Sequence, residues 1–246
     1  MKMMKYSIDK KVIFNNLNHS YLLNNNKLLS VTSLISKYKN KFDEDFYSKK
    51  IALKENKTQE EILLKWKKKS IKSCEIGTGI HKIFEDYTLN NYNFLNNNLN
   101  FNYYKLNDEF LLDFENLKNI SLKFINDFFI NKRLIPIHTE HIVYNDFLAG
   151  QIDMICKDLN NNFYILDFKT NYKIEYKSYN KKMLGVFNKY NDSNFYHYSL
   201  QLSIYKKLFK QKIKDLYIIH ITNNNYYFIK CLDIIENDKI NLIDLL

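Results

Sequence analysis

The sequence predicts an α/β or α+β domain in which a central mixed sheet is flanked by helices, and three observations support this. Hydrophobic residues make up 46% of the 246-residue chain and aromatics 16%, enough to build a sizeable core. After short N-terminal strands, stretches of helical periodicity precede a central run of strand-like pieces, and one more helix interrupts the strands towards the end. No internal repeat and no proline- or serine-rich linker divides the chain, so 1–246 reads as a single domain.

The elements follow in order. "KVIFNNLNHSYLLNNNKLLSV" reads as short strands joined by polar turns, followed by a helix around "TSLISKY". Residues 44–70, 73–89 and 108–131 carry helical periodicity. Strand-like pieces occupy 138–145, 149–157 and 163–169. A looser stretch, 171–194, leads into a helix at 195–210, and strands near 215–221 and 225–231 complete the series. Asparagine clusters at 24–26, 96–98, 160–162 and 223–225 fall between these pieces and read as turns or loops. On this reading 1–70 is an N-terminal strand and helix elaboration, 71–210 the core, and 211–246 C-terminal strands and a helix.

Lys+Arg 37 against Asp+Glu 27 leaves a net charge of +10, which suggests a polyanionic partner. Lys, Asn, Ile, Tyr and Phe abound, while Arg133 and Pro136 are the sole arginine and proline. That bias has the look of A/T-rich coding, which inflates lysine whatever the function. Cys74, Cys156 and Cys231 form no CxxC pair, which argues against a zinc or iron–sulfur site and suits a reducing compartment. No apolar run is long enough to cross a bilayer, and the start lacks the apolar core of a signal peptide. A soluble, intracellular protein without membrane contact is expected.

The chemistry concentrates in "AGQIDMICKDLNNNFYILDFKTN", residues 149–171. With a turn centred near Asn160, positions summing to 320 lie opposite one another, and Asp153 faces Asp167. Asp167 and Lys169 then share one face of the strand, with Leu166 and Phe168 on the other. Opposed carboxylates destabilise a sheet unless something neutralises them, and carboxylate oxygens are what Mg²⁺ prefers. A lysine beside them can hold a water or stabilise a phosphorane-like transition state. The plainer alternative is a solvated edge carrying gatekeeper charges. Upstream, "CEIGTGIHKIFEDY" contains two of the four glycines, so close backbone approach or tight packing is expected there. His81 and Glu85 share a helical face beside an apolar stripe of Ile80, Ile83, Phe84 and Tyr87. A third glycine, Gly150, stands shortly before Asp153.

The order G-T-G-I-H-x-x-x-E, "TEHIVYNDFLAGQID", "YILDFKT", "YHYSLQLSIY" resembles the RecB-like branch of the PD-(D/E)xK nuclease superfamily over residues 30–205. Within that branch, "LGVFNKYNDSNFYHYSLQLSIYK" is most similar to phage-type and mitochondrial genome maintenance exonuclease-like single-domain exonucleases. The resemblance implies a restriction-endonuclease-like core, Mg²⁺ or Mn²⁺ as cofactor, and DNA, single-stranded or at its ends, as substrate. It makes Asp153 the first carboxylate, Asp167 the D/E position and Lys169 the catalytic lysine. His81 would complete the metal shell, to which Phe168 offers its backbone carbonyl. Glu140 falls where some relatives have an extra acidic residue, serving a second metal or pairing with a lysine. Gln201 and Tyr205 match a Q-x-x-x-Y motif that contacts substrate in relatives.

Two features of relatives are absent: the four-cysteine iron–sulfur staple, so no cluster is expected, and a G-x-x-x-x-G-K-[ST] loop. The implied function is a metal-dependent DNA exonuclease in replication, repair or recombination, working beside proteins of those processes. The alternatives are a DNA-binding subunit of a larger helicase–nuclease or recombination complex, and a structure-specific endonuclease of the same superfamily. "NYKIEYKSYNKK" at 171–182 interleaves Tyr172, Tyr176 and Tyr179 with Lys173, Lys177, Lys181 and Lys182, which suits phosphate contacts and base stacking. "KWKKKSIK" at 65–72 is a second basic run, just ahead of His81.

Overall fold

The computed structural model describes residues 4–7, 9, 11–15, 18–89, 107–131 and 133–246; the asparagine cluster at 96–98 lies outside them. A meander opens the chain: β1 (Met4–Tyr6), β2 (Val12–Asn15), β3 (Ser20–Leu23) and β4 (Asn26–Ser30). The β3–β4 turn uses Asn24 and Asn25 at φ 49° and 67°, left-handed positions that asparagine tolerates. Ser30 ends β4 and caps α1 (Val31–Ser36) by accepting from the Ser33 N–H.

Two helices follow, α2 (Glu44–Glu55) and α3 (Gln59–Leu89), and their boundary differs from the one periodicity suggests. The break falls at 56–58, while 70–73 lies inside α3. Asn56, left-handed at φ 53°, closes α2. Thr58 and Glu61 then form a reciprocal capping box, the Thr58 N–H donating to Glu61 Oε2 (2.7 Å) and the Glu61 N–H to Thr58 Oγ1 (3.2 Å). The stretch predicted as one helix at 108–131 is a 3-10 turn (Asp108–Phe110), α4 (Leu111–Phe124) and a π-helical turn (Ile125–Ile130).

The centre is an antiparallel run of β5 (Ile135–Tyr144), β6 (Leu148–Lys157) and β7 (Phe163–Lys169). From β7 the chain crosses through α5 (Asn194–Leu208) to β8 (Ile213–Ile221), parallel to β7, then turns into β9 (Tyr226–Lys230) and α6 (Ile234–Asn237). Among the described residues nine strands form one mixed sheet in the order β1-β2-β3-β4-β6-β7-β8-β9, with β5 on the second edge of β6. One edge of β6 therefore serves two strands: β4 pairs in parallel with Leu148 and Ala149, and β7 pairs antiparallel from Met154 to Lys157. The sheet forks along 150–153, the kind of crevice where open sheets place ligands.

One sheet face packs Ile155, Ile165, Leu216 and Ile218 under α1 and α5; the other packs Met154, Leu166, Phe168 and Ile219 under α3 and α4. A smaller cluster of Val12, Phe14 and Tyr21 with Ile142 and Ala149 ties the meander to β5 and β6. Among the described residues no helix is long and apolar enough to cross a membrane.

The β6–β7 hairpin has the predicted register, Met154 opposite Leu166 and Cys156 opposite Tyr164. Its turn is organised by Asp158, whose Oδ1 accepts from the Asn160 and Asn162 N–H groups (2.9 Å each) and whose Oδ2 accepts from Asn162 Nδ2 and the Tyr164 hydroxyl (2.8 Å each). These donors, the Asn162 side chain first, hold the Asp158 carboxyl at about 2 against an ordinary 3.8. Stabilisation by the ionised group is complete above 3.8 and is lost as pH falls towards 2. Urea melts of the wild type and Asp158→Ala are expected to diverge above about pH 4 and draw together near pH 2; a gap independent of pH would show that the charge adds nothing.

Candidate functional site

Asp153 floors the fork between β4 and β7. One step beyond the last ladder pair, Met154–Leu166, its carboxylate takes the place of a backbone acceptor, and Oδ2 receives the Phe168 N–H at 2.9 Å. His81 Nδ1 lies 3.5 Å from that oxygen, while His81 Nε2 donates to the Phe168 carbonyl at 2.9 Å. The histidine is delivered by α3, whose stripe of Ile76, Ile80, Ile83, Phe84 and Tyr87 is buried. Asp167 ion-pairs through Oδ2 with Lys169, and the Lys169 ammonium lies 3.4 Å from the Phe168 carbonyl and 4.9 Å from the Tyr198 ring centroid. The structure thus brings His81, Asp153, Asp167, Phe168 and Lys169 to one end of the hairpin.

Glu140 joins them from β5: donor atoms of His81, Glu140 and Asp153 lie within 4.8 Å of one another, and Asp167 stands outside that triad. Glu140 has φ 51°, a strained conformation for a residue with a Cβ. Beside it the alternation of β6 slips, because Ile152 and Ile155, three apart, pack in the same core. The slip and the left-handed glutamate aim two carboxylates from neighbouring strands at one histidine.

Burial shapes the electrostatics here. Asp153 keeps 15% of its side chain exposed and Asp167 2%. Burial pushes the Asp153 carboxyl above its ordinary range; the His81 charge works against that shift and the Asp167 charge adds to it. For Lys169, burial opposes the ammonium, but Asp167 and then Asp153 outweigh it and hold its pKa above the ordinary lysine value.

The donors fit a hard divalent cation. With its Nε2–H given to a carbonyl, His81 turns Nδ1 towards a carboxylate oxygen, a contact that needs a proton or a cation between the two. Asp167 Oδ2 is buried and accepts no well-directed hydrogen bond, even with Lys169 beside it. Carboxylates, one imidazole and a backbone carbonyl make the oxygen-rich set that Mg²⁺ or Mn²⁺ takes.

Two glycines permit the packing behind the site. A Cβ on Gly79 would meet the Phe114 ring at 2.6 Å, and one on Gly150 would run into the Tyr205 ring. Tyr205 is 3% exposed and its hydroxyl accepts from Gln201 Nε2 at 2.9 Å, so Tyr205, predicted to contact substrate, faces β6. Gly150→Ala is expected to cost about 1–3 kcal/mol in a urea melt, and less when combined with Tyr205→Leu. A loss too small to measure would mean that α5 can move away freely. Tyr198, outside the Q-x-x-x-Y motif, carries Lys169 on its ring and donates its hydroxyl to Asn171 Oδ1 at 3.0 Å. Its i, i+3, i+7 spacing with Gln201 and Tyr205 is the signal that finds it.

A cleft of about 1160 Å³ opens beside this cluster, between α3 and the segment after β7. Lys69 and Lys72 from the first basic run and Lys173 from the second line it together with His81 and Lys169. Lys72 is held by Asp113. Lys177 is exposed farther along the 171–182 segment, outside the cleft wall. Glu85 points elsewhere, towards Lys82 at 3.0 Å.

No family model and no curated protein matches this chain. Among solved structures, the crystal structure of SSO0001 is similar at a TM-score of 0.28 and 15% identity, over 63% of this chain and 65% of that one. The chain spans just under two thirds of that structure's length, and so low a likeness bears on neither fold nor function.

Proposed function

We propose that this chain is a metal-dependent deoxyribonuclease of the PD-(D/E)xK kind that hydrolyses phosphodiester bonds from the ends of single-stranded DNA. The supporting observation is the meeting of Asp153, His81 and the Phe168 carbonyl with the Asp167–Lys169 pair beside a lysine-lined cleft. A restriction-endonuclease-like core belongs to the same proposal, and the mixed sheet between helices supports it. Asp153, Asp167, His81 and the Phe168 carbonyl would hold Mg²⁺ or Mn²⁺, with Glu140 as a further carboxylate. Such an ion supplies Lewis acidity towards a phosphate oxygen and a water of lowered pKa.

The chain's own residues do the rest. Lys169, kept charged by Asp167, can orient the attacking water and neutralise charge that develops on the phosphate. Lys69 and Lys173 face the cleft, where they can hold backbone phosphates without reading sequence. His81, tied to the Phe168 carbonyl, keeps its second nitrogen aimed at Asp153.

Purified protein is expected to degrade end-labelled linear single-stranded DNA in Mg²⁺ or Mn²⁺, to stop in EDTA, and to leave circular strands intact. Cleavage that persists in EDTA, or none with either ion, overturns the proposal; cleaved circles would make the protein an endonuclease. A readout without turnover tests the centre itself. Either ion is expected to raise the melting temperature of the wild type, by about 2.7 kcal/mol of stabilisation at a hundredfold excess over Kd, and not that of Asp153→Asn. In chelator Asp153→Asn is expected to melt at or above the wild type, since a buried charge is gone.

A further inference from the structure

We infer that an exposed aromatic cluster at the start of the α2–α3 hairpin is a stacking platform for unpaired bases, from which a single strand runs along one face of α3 into the cleft. The route to cleavage rests on the nuclease reading above; the platform itself does not. Phe42, just before α2, is 63% exposed and Phe46 54%. Phe42 stacks on Tyr47, with ring centroids 5.1 Å apart and planes at 6°, and lies 5.7 Å from the Trp66 ring of α3. Phe46 meets Tyr47 edge-on at 5.2 Å. Aromatic surface left open in this way calls for a partner.

The surrounding charge selects which partner. Lys181 Nζ lies 5.8 Å over the Tyr47 ring, and Lys41, Lys67 and Lys69 are exposed on the flanking chain. Three of the nearby carboxylates are engaged, Asp43 capping the Phe46 N–H, Asp45 pairing with Lys49 and Glu55 pairing with Lys57 and Lys65, while Glu44 is exposed between Phe42 and Phe46 in the chain. Flat rings among cations suit bases whose faces are uncovered, and a duplex keeps those faces stacked on each other.

Geometry joins the platform to the site. Trp66, Lys69, Ser73 and Gly77 fall on one face of α3 by its 3.6-residue turn, and the last three line the cleft. From Trp66 to His81 the helix rises by about 22 Å at about 1.5 Å per residue. That span matches about six nucleotides at the stacked spacing of about 3.4 Å. The segment after β7 forms the opposite wall, with Lys173 in the cleft and Lys181 at Tyr47. Asn40, two residues before Phe42, fastens that segment by donating from Nδ2 to the Lys182 carbonyl and to Asp192 Oδ2 (2.7 Å each).

Trp66 is the only tryptophan, so the platform carries its own fluorophore. In EDTA, an oligothymidylate of about twelve nucleotides is expected to quench it saturably, and a duplex of equal length to leave it unchanged. Phe42→Ala/Phe46→Ala removes two exposed rings, so the fold survives; affinity for the single strand is expected to fall about tenfold. In Mg²⁺ the same variant is expected to show the loss in KM for the long strand and not for one of about four nucleotides, too short to span platform and site. Absence of quenching, equal quenching by duplex, or wild-type affinity in the double variant overturns the inference. Self-association abolished by the double variant, with no quenching by DNA, overturns it too and assigns the patch to a second copy. Quenching without metal-dependent cleavage would leave the platform standing and sink the nuclease reading; cleavage without quenching would do the reverse.

Discussion

Replacing Lys169 by alanine is expected to lower metal-dependent cleavage of linear single-stranded DNA by roughly 10²–10³-fold, the usual effect of removing one preorganised charge-stabilising donor. The side chain sits where the effect should be large. Its ammonium pairs with a carboxylate that is 2% exposed, approaches the Phe168 carbonyl at 3.4 Å, and rests on the Tyr198 ring. A second consequence follows from the same contacts. Taking away one partner of a buried ion pair leaves Asp167 uncompensated, at a cost of about 3–5 kcal/mol in metal-free protein. Lost activity could then be mistaken for lost folding, so a companion variant is needed. Lys169→Met with Asp167→Asn removes both charges at similar volume and is expected to recover stability in chelator while cleavage stays absent. Lys169→Ala protein that cleaves as fast as the wild type would end the nuclease proposal.

What the sequence discloses here follows the physical range of each interaction. The β6–β7 register was readable because alternation on two strands and an asparagine-rich turn constrain it locally, and Met154 does oppose Leu166. The approach of Asp153, Asp167 and Lys169 follows from that register. Glu140 shows the limit: nothing in the alternation of "IHTEHIVY" announces a left-handed residue, because a φ of 51° is a local backbone choice that residue type alone does not encode for glutamate. The α2–α3 boundary is a different case. Asn56 and the T-x-x-E pattern from Thr58 to Glu61 are in the sequence, and periodicity alone ran past them. The aromatic platform depends on how two helices dock, so its rings are visible in the sequence and their grouping is not.

Phe84→Ala is expected to destabilise the protein by about 3–5 kcal/mol, the range for deleting a buried phenylalanine from a tight core. Phe84 is 1% exposed and stacks on Phe168, with centroids 3.7 Å apart and planes at 8°; Phe124 stands edge-on to both rings, at 5.8 and 6.1 Å. Such aromatic pairs add about 0.5–1.5 kcal/mol to what burial alone supplies. The loss should not stay in the core. Phe168 carries the N–H that Asp153 accepts and the carbonyl that His81 holds, so its ring anchors two contacts of the proposed metal centre through the backbone. Phe84→Ala is therefore expected to weaken Mg²⁺- or Mn²⁺-induced stabilisation as well, whereas Phe84→Leu, which fills most of the space, should cost less in both. Urea melts with and without the ion separate the two effects. A Phe84→Ala protein less stable by several kcal/mol, yet with undiminished metal-induced stabilisation, would show that the centre does not depend on the Phe84–Phe168 stack.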